Sequence, residues 1–219
     1  MTDTVSTPSS VANPDDGASS IVLGGFSSGV PIAVIGFGFS IILLSLFNIN
    51  AIDSGAFAFF PYVAIYTGAI AMGVGGIWEA RSANVFGATF AVSYACFLVT
   101  TGILLQYVQP QIVAAAGQET FNHGFGAYLL IWAVFTAALT VGARFVNVPA
   151  LAAFALLTVV YLLVGIANLT TGDLSTTLTR IAGWVGLADG AAAWYLGIGI
   201  LLNGVIGREI MPMAPYSPK

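Results

Sequence analysis

Six long runs of apolar side chains, parted only by short polar punctuation, are the feature that most limits what this 219-residue chain can become. They extend from Pro31 to Phe47, Ala58 to Ile77, Val85 to Leu105, Gly126 to Val141, Val148 to Ala167 and Ile181 to Ile206. A helix needs about 20 mostly apolar residues to cross the hydrocarbon of a bilayer. Within that layer every backbone N–H and C=O must be satisfied by the segment itself, which leaves helices and closed barrels as spanning forms. A barrel would show short alternating segments, whereas these runs are continuous. The pattern therefore predicts an all-α integral membrane protein, a six-transmembrane-helix bundle. Charge agrees: 6% of residues are charged, against roughly 25% in a soluble domain. Nine acidic side chains against five basic ones also exclude a nucleic-acid partner, which demands a basic footprint. One Cys and one His provide neither a disulfide nor a ligand set, so no metal, haem or other cofactor is expected. The loops are too short for a soluble catalytic domain, and the chain does not read as an enzyme.

Residues 1–27 read as a disordered cytoplasmic tail, 28–208 as the transmembrane domain and 209–219 as a short cytoplasmic C-terminal tail. Alternation of the spans puts Arg81, Arg144, Arg208 and Lys219 on the side of both termini and only Arg180 on the other. The positive-inside rule then predicts a multi-pass protein of the cell membrane with cytoplasmic termini. Tyr62, Trp78, Tyr107 and Trp184 fall near span ends, where amphipathic rings favour the headgroup layer. Glycines recur inside the spans, among them Gly36, Gly38, Gly68, Gly75, Gly76, Gly183, Gly186, Gly190 and Gly197. Their plainest role is close helix packing in lipid.

Polar residues at membrane depth carry the functional information. Asp189 lies about eight residues into the sixth run, ~12 Å along a helix. An ionised carboxylate there costs at least ~2.5 kcal/mol, so Asp189 is either a proton-titrating, pore-lining group or a neutral acid hydrogen-bonded within the bundle. Ser40 is a further pore-lining candidate. Asn48, Asn84, Asn168 and Asn203 stand at span ends, where they can close helix termini or rim a vestibule. Glu79 and Arg81 are expected to pair locally, Cys96 to be a small buried hydrophobe, and His123 to be solvated at the interface.

Taken together the runs resemble one family, the acetate uptake transporters, which include bacterial succinate–acetate permeases and yeast acetate permeases. The resemblance extends from about Pro31 to Pro212. It rests on Gly36-Phe-Gly-Phe-Ser40 with Leu43, Leu44 and Asn48, then on Glu79 and Asn84-Val-Phe-Gly87 leading to Phe90-Ala-Val-Ser-Tyr94. It continues through Tyr128-Leu-Leu-Ile-Trp132-Ala-Val-Phe-Thr136, Leu157-Thr158 with Asn168, and Ala182-Gly-Trp184-Val-Gly186 with Gly190, Tyr195 and Asn203. The resemblance implies a ring-shaped homo-oligomer, usually a hexamer, with one pore per protomer. It implies transport of acetate, and of related small monocarboxylates or succinate, by proton-coupled or channel-like permeation. It also implies a hydrophobic constriction formed by Phe37, Tyr94 and Leu157, with Ala193 at a position that limits the size of the acid admitted. The chain departs from the family where Ser28-Gly-Val-Pro31-Ile-Ala-Val34 replaces an Asn-Pro-Ala-Pro signature bordering the pore. It departs again at Met72, where some members carry Gln, and at Asp189, where Cys or Thr is usual.

The residue types suit that chemistry. Acetate joins a methyl group to a carboxylate, so a throat of two rings and a Leu can pack the methyl, and the Tyr94 hydroxyl can donate to a carboxylate oxygen. The spans hold no Lys or Arg that would bind an anion tightly and retard its release. A narrow apolar pore without cations suits ammonia, urea or undissociated acetic acid equally, so a neutral-solute channel stands as the alternative. A non-transporting membrane sensor or scaffold is a third.

Overall fold

The computed structural model describes residues 28–216; the expected N-terminal tail, 1–27, and Lys219 lie outside them. Six helices long and apolar enough to cross a membrane follow one another: α1 Val30–Asn48, α2 Ser54–Arg81, α3 Val85–Ala116, α4 Gln118–Ala143, α5 Val148–Leu169 and α6 Gly172–Ile206. Their order matches the six apolar runs, but several ends do not. The polar stretch from Gln109 to His123, read as a loop, is helical except at Gly117. There, a φ of 87° that side-chain-bearing residues avoid separates α3 from α4. Likewise α6 begins at Gly172 rather than near Ile181, so its 35 residues run ~52 Å, beyond the ~30 Å of hydrocarbon. Hydropathy marks the depth of the apolar layer, whereas helix ends are set by backbone hydrogen bonding and caps.

α1 packs against both α2 and α6, α6 against α5, α5 against α4, and α2 against α3. The ring closes between α3 and α4, where Phe86 lies against Gly142 and Phe97 stacks on Tyr128 at 5.7 Å between ring centres. The antiparallel α1–α6 seam explains one set of glycines. A side chain at Gly183 would strike Asn48 and Ile49, at Gly186 Ser45, at Gly190 Ile42, and at Gly197 Val34 and Ile35. One face of α6 is thus stripped to backbone so that α1 can approach it, the arrangement by which helices gain packing energy in lipid. Gly36, Gly68 and Gly75 do the same between α1 and α2, and Gly126 opposes Gly165 between α4 and α5.

Two helices are locally underwound. α2 passes through a π-helical segment at Val63–Ala69, just after Pro61, and α3 through one at Leu104–Val108, just before Pro110. Proline has no N–H for the carbonyl one turn back, and widening the helix redistributes the freed acceptors.

Glu79 does more than the local pairing expected of it. It is 2% exposed, and its Oε1 accepts from the Ser28 hydroxyl at 2.9 Å and from the backbone N–H groups of Gly29 and Val30. Its Oε2 accepts from Asn84 Nδ2. A carboxylate at the positive end of α1 is electrostatically favourable, and this one ties the starts of α1 and α3 to the end of α2. At the same end of the bundle α6 stops at Gly207, φ 72°. The segment beyond folds back, with Tyr216 N–H donating to the Val146 carbonyl at 3.1 Å and the Tyr195 hydroxyl to the Pro212 carbonyl at 3.0 Å. The expected C-terminal tail is therefore seated on the bundle through Tyr216. Cys96 corrects the expectation of burial: it is exposed, on the outward face of α3 with Val92 and Val99.

Candidate functional site

The axis of the bundle holds two chambers that meet at Phe37. The wider one has a volume of about 270 Å³ and lies toward the end of the bundle that carries Asn48, Phe125, Asn168 and Thr179, opposite the termini. Most of its wall is hydrocarbon and ring, but Ser40, Asn48, Thr101, Tyr161, Asn168 and Thr179 bring polar groups to it from α1, α3, α5 and α6. The smaller chamber, about 30 Å³, is bounded by Phe37 of α1, Met72 of α2, Tyr94 of α3, Leu157 of α5, and Asp189 and Ala193 of α6, with Val34, Phe90, Phe154 and Leu196 completing it. Space of that size accepts about one water molecule.

The three residues assigned to the constriction thus come from three different helices to one point. Phe37, Tyr94 and Leu157 are 6%, 1% and 3% exposed. Phe37 lines both chambers, so it stands between them. Tyr94 is the hub of an aromatic cluster, with ring centres 5.9 Å from Phe37, 5.7 Å from Trp132, 6.3 Å from Phe154 and 6.4 Å from Tyr161. Such contacts hold each ring in place beyond what burial alone provides.

The proton of Tyr94 is already committed. Thr136 Oγ1 donates to the Trp132 carbonyl at 2.7 Å, and a hydroxyl has one hydrogen to give. The 2.7 Å bond between Tyr94 Oη and Thr136 Oγ1 is therefore donated by Tyr94. This corrects the expectation that Tyr94 offers a hydrogen to a passing carboxylate: in this conformation its oxygen can only accept. Thr136 is the residue that sequence reading missed, because its role depends on a partner 42 positions away.

The remaining candidates divide cleanly. Asp189 and Ala193 line the small chamber, and Ser40, Asn48 and Asn168 the wide one. Asn84 and Asn203 line neither. Asn84 Oδ1 accepts from Gly87 N–H at 3.0 Å and caps α3. Asn203 accepts from the N–H groups of Ile210 and Met211 and donates to the Met211 carbonyl, closing the end of α6. Asn168 spends its amide N–H on the Val164 carbonyl at 2.8 Å. Among the described residues, no Lys or Arg lines either chamber. Among the described residues, the hydroxyl oxygens of Ser40 and Tyr161 and both carboxyl oxygens of Asp189 are buried without a hydrogen-bond partner. Buried polar atoms are normally paired, and here the unpaired ones all border the two chambers. No group of His, Cys, Asp and Glu suited to a metal ion occurs among the described residues.

Comparison with known proteins bears on the family and the fold. Residues 12–212 match the GPR1/FUN34/yaaH family. The chain is 32% identical over 189 residues to the succinate-acetate/proton symporter SatP of Escherichia coli, covering 84% of this chain and 93% of that protein. It is 31% identical to ammonia transport outward protein 2 of Saccharomyces cerevisiae, over 78% of this chain and 60% of that protein. The structure of the bacterial acetate channel SatP superposes with a TM-score of 0.76 at 30% identity, covering 86% of this chain and 99% of that one.

Proposed function

The chain belongs to the GPR1/FUN34/yaaH family, and from that membership we propose that it carries acetate and closely related small carboxylates across a cell membrane. The route runs through the throat made by Phe37, Tyr94 and Leu157. The observation that supports this most is the meeting of those three side chains, with Ala193, around one small chamber that opens past Phe37 onto a wider one. In the wide chamber a carboxylate keeps polar company from Ser40, Asn48 and Asn168. At the throat it must shed water, and rings and Leu157 enclose its methyl group. The absence of Lys and Arg from either chamber favours weak binding and quick release, as conduction requires. Ala193 sets the room available, so acetate is expected to outcompete succinate.

The same membership supports a ring-shaped homo-oligomer, a hexamer with one pore per protomer, which native mass spectrometry in detergent would count. Arg81, Arg144 and Arg208 at the end of the bundle that carries the termini support a cytoplasmic position for both. The test of function is uptake of labelled acetate into proteoliposomes, with succinate, lactate and formate as competitors. Tyr94→Ala and Leu157→Ala are each expected to change rate or selectivity; unchanged values in both would refute the throat.

A second reading, a channel for ammonia, urea or undissociated acid, draws support from the cation-free chambers and from the name of the yeast relative. Rapid equilibration of urea or ammonia, with acetate no faster than in protein-free vesicles, would establish it in place of the first.

A further inference from the structure

We propose that Asp189 is the proton-coupling residue of the throat, so that a carboxylate enters the small chamber only when Asp189 carries a proton. The proposal rests on the carboxylate reading above and deepens it. Asp189 sits at the midpoint of α6, Gly172–Ile206, and is 0% exposed. Its two oxygens have no hydrogen-bond partner among the described residues, yet it forms part of the wall of the small chamber beside Phe37, Tyr94, Leu157 and Ala193. An acid whose two oxygens find no partner in the protein, in the wall of a chamber with room for about one water, is placed to meet a ligand that enters that chamber.

The surroundings narrow what that ligand is. The ionisable groups near enough to interact with Asp189 electrostatically are Tyr94 of α3 and Tyr161 of α5; α1 contributes Phe37 and α2 Met72, neither of which titrates. No cation faces it. Tyr94 has already given its hydrogen to Thr136, so within the small chamber only Asp189 has a proton to offer. An ionised Asp189 would repel a second carboxylate strongly in so dry a place, whereas the protonated acid donates a hydrogen bond to it. Proton and anion therefore each favour the binding of the other, which is thermodynamic coupling. In the transport step the O–H bond of Asp189 breaks as an O–H bond forms on the substrate carboxylate. The acid leaves uncharged, and the bared Asp189 takes its next proton from solvent on the side of uptake. Ser40 and Tyr161, whose hydroxyl oxygens are also unpartnered, line the wide chamber on that route. One anion and one proton cross together, and no net charge moves.

Proteoliposomes test this with labelled acetate, counting flux above protein-free vesicles. The wild type is expected to accumulate acetate when the interior is made alkaline and to ignore a potassium–valinomycin potential applied at equal pH. D189N, and D189T as a second uncharged variant, are expected still to move acetate but as the bare anion. They would then accumulate it about tenfold toward an interior held about 59 mV positive, the conversion for one charge. Acetate accumulation by the wild type in response to potential alone overturns the proposal, whether or not the variants fold. So does an unchanged response to the pH gradient in D189N without any response to potential. No acetate flux in the wild type under any condition removes the carboxylate reading itself and this proposal with it.

Discussion

The two chambers on either side of Phe37 share a wall but not a chemistry. The wide one, 270 Å³, is dotted with hydroxyls and amides; the small one, 30 Å³, has rings, aliphatic side chains and one acid. A carboxylate can stay partly hydrated in the first and cannot in the second. Under the proposed function, capture and discrimination fall to different places: the wide chamber would tolerate, and the small one would decide.

Substitutions that plug the small chamber should have the largest effect. Ala193→Phe adds a ring to a space that holds about one water, and acetate flux is expected to fall about a hundredfold or more, ~3 kcal/mol of barrier. Normal elution on size exclusion would show that the bundle is intact. Next comes Leu157→Ala, which enlarges the same space. The ratio of acetate to succinate uptake should fall about tenfold, the scale on which an apolar pocket discriminates size. Thr136→Val is smaller again. It removes the acceptor of the Tyr94 proton, and a buried group left unpaired costs about 1–3 kcal/mol of stability. A lowered thermal midpoint with flux reduced only a few-fold is the expected result. Ser40→Ala in the wide chamber should change acetate uptake by about twofold, because a lone neutral hydrogen bond contributes little net. If Ser40→Ala were as damaging as Ala193→Phe, the division between a tolerant and a deciding chamber would be lost.

Residues that act through their own type and order were legible in the sequence. Six continuous apolar runs dictated six helices, and Phe37, Tyr94, Leu157 and Ala193, singled out by the ordered match of motifs, line one small chamber. Asp189 stood out because an acid at that depth is costly. What escaped was whatever depends on a distant partner or on backbone geometry. Glu79 looked like half of a local ion pair, yet its partners at Ser28, Gly29 and Val30 are 49 to 51 positions away. The direction of the Tyr94 hydrogen bond was invisible without Thr136. The helical extensions of α3 and α6 escaped because polar residues beyond the lipid can still wind into helix. Cys96 was misplaced since apolar character does not say which way a lipid-embedded residue faces.

The clasp at Glu79 bears on how the pore opens. With Ser28, Gly29 and Val30 all fastened to one carboxylate that also holds Asn84 of α3, α1 cannot slide or tilt at its base without releasing three donors together. Phe37 stands two turns above this anchored end. Under the proposed function this anchoring favours opening by a swing of the Phe37 ring, a motion quicker than the microsecond-to-millisecond rocking of whole helices. Such a gate would work like a turnstile and leave the rest of the wall standing still.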